Sequence, residues 1–401
     1  MKILYLTGEL SYPFNGGAMH YTSIIEYMSQ YNECDLLTFA RSLEKDKVSI
    51  ISMVSEKLPN TNLLGLFFKN TGITLKIKKI LNLISFMPQG LSHWDNNDFQ
   101  IQLSKVLDEK QYDVIHLIHF PAVAQYLPYC RNIPTVITLG DSFSLTCTQQ
   151  SNKTENISER ILLKIASYFY RNAENKYLPF ATKSHVVSEE DKKYLQKLSS
   201  EIDVEHIPVN TSKEFESYDL SKKHLKIDHS IILLRPFGTG FSWFISDVYP
   251  ILIDAIPNLK ITILSQEINN DMAVKISKIN NINHVRWVQD FAQEVLKHNV
   301  VVLTDPFGTG MATRVIHSMV LGMPVVGTST AFRGVTFENG KECFIENDIS
   351  KFADTIISLL LDEKTAYVVG QEARKAVLSQ HSCEIIMSKI YNLYNDAIKS
   401  F

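Results

Sequence analysis

The sequence predicts an α/β protein made of two doubly wound, parallel-sheet domains. Three observations carry that reading. Short apolar runs, each about one strand long, alternate with longer stretches of helical periodicity along the chain. The runs are apolar throughout rather than alternating, as strands covered on both faces require. The series occurs twice, divided by a polar stretch, in a chain of 401 residues. That length is too great for one small core and comfortable for two.

The first series runs "KILYLT", "CDLLTF", "YDVIHLI", "TVITL", "KSHVVS" and "VEHIP". The second runs "SIILLR", "KITILS", "HVRWV", "NVVVLT" and "MPVVGT". Between them lies "NTSKEFESYDLSKKHLKIDH", which places the boundary near 210–229. After the last strand, Ile386, Ile390, Leu393, Tyr394 and Ala397 recur at helical spacing. A helix this late has no sheet of its own to cover and is expected to cross back. The expected domains are 1–210 together with 384–401, and 211–383.

Composition narrows the function classes. With 45% hydrophobic and 21% charged residues the chain is globular. A formal net charge of −3 argues against a nucleic-acid binder. Cys34, Cys130, Cys147, Cys343 and Cys383 are scattered, with no C-x-x-C pair, which points away from structural zinc and toward a reducing compartment. The apolar part of "MKILYLTGELSYPF" is too short for a signal peptide, and no run of 18 apolar residues appears.

One pentapeptide, PFGTG, occurs twice, in "RPFGTGFSWF" from Arg235 and in "DPFGTGMATR" from Asp305. Each copy follows an apolar run and precedes a helical stretch. The flanks share nothing more, so the copies are not a tandem repeat. Open parallel sheets bind ligands at the carboxyl ends of their strands. Glycine lets backbone approach a ligand, and a helix opening there aims free N–H groups at an anion. The second copy is neither G-x-G-x-x-G, since Thr313 takes the third glycine's place, nor a P-loop. Either a ligand loop or a plain tight turn satisfies this pattern. Arg235 at a strand end suits bidentate phosphate pairing, or a surface ion pair.

From Gly310 through Leu360 the chain resembles the retaining, GT-B-fold, sugar nucleotide-dependent glycosyltransferases of the "group 1" type. Gly308 and Gly310 match that family's first glycine loop and Arg314 its basic residue. Met319, Gly322, Pro324, Val325 and Val326 match the block that follows, and Gly334 and Gly340 the next loop. "GQEARKAVLSQHS" is similar to the family's ending before its crossing helix. In the first half, "YPFNGGAMHY", "YDVIHLIHF", "VITLGDSF" and "SHVVSEEDKKYL" resemble the opening glycine loop and later strand ends. The resemblance implies two Rossmann-like domains with a cleft between them. A nucleotide-diphosphate sugar would lie against the second domain, and a glycan or lipid-linked glycan acceptor would enter from the first. It implies no tightly bound cofactor, no metal and no nucleic-acid partner. The donor-binding residues it suggests are Gly16, Gly17, Arg235, Gly238, Gly308, Thr309, Gly310, Met311, Ala312, Thr313 and His317. Arg314 would stabilise the departing diphosphate. The family's E-x7-E carboxylates would fall at Thr309 and His317, which leaves the nucleotide open. A neutral imidazole accepts one hydrogen bond where a carboxylate accepts several.

Further candidates lie on the first series. His116 and His119 follow Asp113 on one strand; alternation puts them on opposite faces, so they are not a metal pair. His119, nearer the carboxyl end, is expected to reach a sugar or to be a buried structural histidine. Asp141, at another strand end, is a candidate acceptor base, an acceptor-orienting group or a helix cap. In "TGITLKIKKILNLISFMPQ", Ile73, Ile77, Ile80, Leu81, Ile84 and Met87 share one helical face opposite Lys78, Lys79, Asn82 and Ser85. Such a helix over 73–87 suits an anionic membrane surface, or covers the first sheet. The expected activity is retaining, metal-independent sugar transfer at the cytoplasmic side of a membrane, in bacterial surface-polysaccharide synthesis. The alternative is a catalytically silent GT-B protein that binds a partner transferase or glycan.

Overall fold

The computed structural model describes the chain except residues 11–15, 41–44, 155, 221–226, 237, 267, 269 and 306–310. The apolar runs form two all-parallel sheets. In the first are β1 (Lys2–Glu9), β2 (Glu33–Ala40), β3 (Thr61–Phe68), β4 (Val114–Ile118), β5 (Thr135–Gly140), β6 (Lys183–Val186) and β7 (Val204–His206). Their order is β3-β2-β1-β4-β5-β6-β7. In the second are β8 (Ser230–Leu234), β9 (Lys260–Leu264), β10 (Ile282–Val285), β11 (Val300–Leu303), β12 (Val325–Gly327) and β13 (Phe344–Ile345), in the order β10-β9-β8-β11-β12-β13.

Both sheets reverse winding direction beside their first strand, at β1/β4 and at β8/β11. Helices connected from either side diverge there and leave a crevice at the carboxyl edge, where ligands bind in such sheets. The chain divides into two compact units, Met1–Asn210 with Glu384–Phe401, and Thr211–Cys383.

Two strands lie outside the series predicted from sequence. β3 is a half-exposed edge strand interrupted by Gly65, and β13 is two residues long. β10 begins at Ile282, ahead of the "HVRWV" run, because Ile282 packs into the second core. Each core fills the space between sheet and helices. Phe39 stacks on Phe99 at 4.8 Å in the first unit, while Phe241, Phe244 and Phe352 are fully buried in the second.

Glycine is required where the Thr313–Val320 helix ends. Gly322 has φ +71. Its N–H donates to Met319 O at 2.9 Å and the Met323 N–H to Ser318 O at 3.3 Å, the paired bonds of a left-handed helix stop. Pro324 then starts the run into β12. Gly370 lies so close to this turn that an added Cβ would fall 2.0 Å from Gly322 O.

The helix Cys383–Ser400 buries Ile386, Met387, Ile390, Tyr394 and Ala397, and from Glu384 it belongs to the first unit. Tyr394 enters a buried chain of hydrogen bonds. Tyr5 Oη meets Tyr394 Oη at 3.3 Å, which meets His116 Nδ1 at 2.7 Å. His116 Nε2 meets Thr138 Oγ1 at 2.7 Å, which meets His185 Nδ1 at 3.0 Å, and His185 Nε2 meets Ile207 O at 2.7 Å. A carbonyl only accepts, so the direction of every bond follows. His185 donates from Nε2, so its Nδ1 accepts from Thr138, which in turn accepts from His116 Nε2–H. Tyr394 then donates to His116 Nδ1, and Tyr5 to Tyr394. Both imidazoles are neutral, and burial lowers the pKa of each, to about 3 for His185.

The helix Gly72–Ile84 does not cover the sheet: it contains no buried residue. Met87, expected on its apolar face, lies past its end and is buried.

Candidate functional site: the carboxyl edges of the two sheets

On the second sheet two guanidinium groups share one carboxylate at the β8/β11 crevice, and a third, Arg235, lies near enough to repel Arg314. Asp305 follows β11, is 1% exposed, and accepts at Oδ2 from Arg314 at 2.7 Å and from Arg333 at 3.0 Å. Its Oδ1 is buried, with no hydrogen-bond partner among the described residues. Arg314 also donates to Leu234 O at 2.6 Å and Arg235 O at 3.1 Å. Burial lowers the Arg314 pKa, Asp305 opposes that shift, and Arg333 and Arg235 add to it. The group stays protonated, as a guanidinium does. Arg235 itself is exposed, holds a left-handed backbone at φ +46, and donates its N–H to Leu264 O at 2.8 Å. Arg314 thus ties the end of β8 to the end of β11. Among the described residues this edge is arginine-rich, with Arg314 and Arg333 on Asp305 and Arg235 beside Arg314, the electrostatics of an anion site.

Met311 and Ala312 are buried, and the Ala312 N–H donates to Arg333 O at 3.3 Å. Thr313 opens the helix, which has no side-chain cap. Its first-turn amides and dipole add to the positive field. His317 is 7% exposed and meets the Phe215 ring edge-on at 5.3 Å. Burial pushes its pKa down to about 4, so it is neutral. Gly308, Thr309 and Gly310 lie outside the described residues. In the first PFGTG copy, Gly238 is not in a loop but opens the helix Gly238–Trp243. Phe241 and Phe244, packed into the core, draw the chain into that helix.

On the first sheet, Gly16 and Gly17 open the helix Gly16–Met28 after β1. His119 is not on a strand, so the alternation argument does not apply to it. β4 ends at Ile118, and His119 turns the chain at φ +80 into the helix Phe120–Val123. Its ring lies over the end of β1, where a Cβ on Gly8 would come within 2.5 Å of Nδ1. Trp94 stands edge-on to the ring at 6.0 Å, and Lys69 Nζ lies 4.2 Å from the centre of the Trp94 ring. Burial, and then Lys69, push the His119 pKa down to about 4, so the imidazole is neutral and mostly buried.

Asp141, partly buried, follows Gly140, which ends β5 at φ +80. The helix cap is Ser142 rather than Asp141, its Oγ accepting from the Leu145 N–H at 3.3 Å. Two buried acids fix this corner. Asp191 Oδ1 accepts from the Ser142 N–H at 2.8 Å. Glu174 accepts from Ser142 Oγ at 3.0 Å, from the Ser144 N–H at 3.2 Å, and from Ser144 Oγ. Burial pushes the Glu174 pKa up to about 7, against the pull of those bonds.

Sequence reasoning missed Asp305 and Arg333, 28 positions apart, and the Glu174–Asp191 support. A signal for the first pair was present: an acid closing an apolar run and an arginine beside Gly334. Among the described residues no group of three or more His, Cys, Asp or Glu side chains converges to hold a metal.

This architecture defines the class: a two-domain GT-B fold, with one basic carboxyl edge. Residues 233–362, which span that edge, match the family model "Glycosyl transferases group 1". Solved structures similar over nearly the whole chain include S. aureus TarM in complex with fondaparinux, α-GlcNAc-glycerol and UDP, at 12% identity and TM-score 0.68, covering 98% of this chain and 100% of that one. Anabaena HepE in complex with UDP shares 14% identity at TM-score 0.62, over 98% of this chain and 100% of its own. Sucrose-phosphate synthase from Thermosynechococcus elongatus shares 15% at TM-score 0.62, with 100% of both chains covered. A curated relative, the uncharacterized 44.6 kDa protein in the cps region of Klebsiella pneumoniae, is 26% identical over 162 residues. That match takes in 38% of this chain and 41% of the relative's length. The family match and the fold together support a GT-B glycosyltransferase.

Proposed function

We propose that the protein transfers a sugar, with retention and without a metal, from a nucleotide-diphosphate donor to a hydroxyl of a glycan or lipid-linked glycan. The observation that carries this reading is the arginine cluster at the β8/β11 edge, Arg314 and Arg333 on Asp305 with Arg235 exposed beside Arg314. A diphosphate leaving group gains charge as the glycosidic bond breaks. Fixed guanidinium groups and helix amides stabilise that charge most where water is excluded. Arg235 supplies the direct phosphate contact, and Arg314 holds the arginine's backbone and contributes field. The second sheet's unit takes the donor. On the first unit, neutral His119 hydrogen-bonds a sugar hydroxyl, and Asp141, held by the Glu174–Asp191 corner, orients the acceptor. UDP in the HepE and TarM structures makes uridine diphosphate the first donor nucleotide to try. The cps-region relative supports a surface-polysaccharide setting.

The silent-protein reading has one observation in its favour. His317 stands where the family has a carboxylate, and it packs edge-on to Phe215 with its pKa pushed down. A thermal-shift screen over uridine, guanosine, thymidine, adenosine and cytidine diphosphates and their sugars finds the nucleotide, and donor hydrolysis over the same panel separates the readings. A donor binds and is hydrolysed under the first; binding without turnover supports the second. Arg235→Ala is expected to weaken nucleotide binding about 10- to 100-fold, the scale of a lost charge-assisted bond, while leaving unliganded stability unchanged. Arg314→Ala weakens both. No shift with any nucleotide removes the proposal.

A further inference from the structure

The helix Gly72–Ile84 is mounted with its polar side toward the protein. Lys78 donates to the Asp95 carbonyl and pairs with its carboxylate at 3.0 Å. Asn82 donates to Ser92 Oγ at 2.8 Å and to Pro88 O at 3.2 Å. The apolar side faces outward: Ile73, Ile77, Ile80, Leu81 and Ile84 are each more than half exposed. An ordinary amphipathic surface helix does the reverse.

A second helix, Ile157–Tyr177, continues the same surface. Ile157, Ile161, Ile165 and Tyr168 follow one another at helical spacing and are 47–71% exposed. Phe86 joins the two helices. Its ring lies 6.3 Å from that of Tyr168 and 6.1 Å from that of Phe169, and its carbonyl accepts from Asn172 at 3.2 Å. Phe86 is itself 56% exposed on a left-handed backbone, φ +52.

The charge around this surface is one-sided. Apart from Lys78, which Asp95 neutralises, the two helices carry Lys76, Lys79, Arg160, Lys164, Arg171 and Lys176 against Glu159 and the fully buried Glu174. We propose that these two helices form a platform that lies on an anionic phospholipid surface. The branched apolar side chains enter the acyl boundary while the lysines and arginines meet lipid phosphates. A second copy of the chain is the poorer occupant, because it would set two basic rims against each other. No helix among the described residues is long and apolar enough to cross a membrane, so the platform rests on the surface. The inference stands apart from the sugar-transfer reading, since it needs no donor.

The test is co-sedimentation of the full chain with vesicles of phosphatidylcholine alone and of phosphatidylcholine with about 30% phosphatidylglycerol. Binding to the anionic vesicles is expected to be about tenfold tighter or more, and to fall as salt is raised. Ile77→Asp/Ile80→Asp and, separately, Ile161→Asp/Ile165→Asp should each lower it by about 100-fold. Lys76→Glu/Lys79→Glu should remove the lipid preference. These positions are at the surface, so circular dichroism and the thermal midpoint should match the parent. Equal sedimentation of parent and variants overturns the platform. So does a concentration-dependent doubling of mass, without lipid, that the same isoleucine changes abolish; it would make the surface a dimer interface.

Discussion

Thr138 is the hinge of the buried chain Tyr5–Tyr394–His116–Thr138–His185, and Thr138→Val tests it with almost no change of shape. The hydroxyl accepts from His116 Nε2–H and donates to His185 Nδ1. Valine leaves both without a partner. His185 cannot escape by moving its proton, because Nε2–H is held by Ile207 O. If His116 shifts its proton to Nδ1, Tyr394 must accept there and donate to Tyr5, whose own hydroxyl then loses its acceptor. Every rearrangement keeps two buried polar groups unmade. At about 1–3 kcal/mol each, less about 1 kcal/mol for the added apolar methyl, the net loss is about 1–5 kcal/mol. Thr138→Ser keeps the hydroxyl and should lose only about 1 kcal/mol. The assay is native-state hydrogen exchange followed by mass spectrometry, because two units need not unfold together. Protection should fall in β4, β5 and the Cys383–Ser400 helix and stay unchanged in β8 and β11. Refutation would be Thr138→Val within about 0.5 kcal/mol of the parent, or Thr138→Ser as damaging as Thr138→Val.

Three other outcomes follow from the same geometry. Burial pushes His20, His298 and His317 down to about 4 and His185 to about 3, so the unfolded chain takes up protons first as pH falls below about 6.5. Stability is therefore complete above that value and declines through pH 5 toward 4, by up to about 1.4 kcal/mol per pH unit for each histidine. Glu174, pushed up to about 7, works in the opposite sense, favouring the folded state as pH falls from 7 toward 4.5, but one group does not offset four. A urea midpoint equal at pH 7.5 and 5 would contradict this. Asp305→Asn strips the shared carboxylate from Arg314 and Arg333, both about one-fifth exposed, and should cost about 2–4 kcal/mol while pyrophosphate affinity holds or tightens. Unchanged thermal stability would show that the cluster does not hold that edge together. Gly370→Ala drives a Cβ against Gly322 O, a backbone atom that cannot step aside, and should lose about 1–3 kcal/mol or fail to fold; a parental melting point would refute the close approach.

Local pattern was enough for most of the scaffold. Strands buried on both faces announce themselves as unbroken apolar runs, and Gly322 and Gly334 mark turns whose positive φ only glycine adopts without strain. β3 escaped because Gly65 breaks its run and one face is half open, so it reads as neither pattern. Arg235 was legible as a group at a strand end. Its partnership was not: Arg314 reaches its carbonyl from 79 positions away.

By itself the sequence determined the element types, their order, the two-sheet architecture and the strand ends where chemistry belongs, because periodicity and turn residues act within a few positions. Only the tertiary structure decided who meets whom. It joined His116 to Tyr394 across 278 positions, gave Asp305 two arginines, lifted His119 off its strand onto Gly8, and turned the Gly72–Ile84 helix inside out. Helical spacing fixes that two faces differ, but which face points inward depends on the groups waiting there: Ser92, Pro88 and Asp95 offered oxygens, and the lysine and asparagine turned to them.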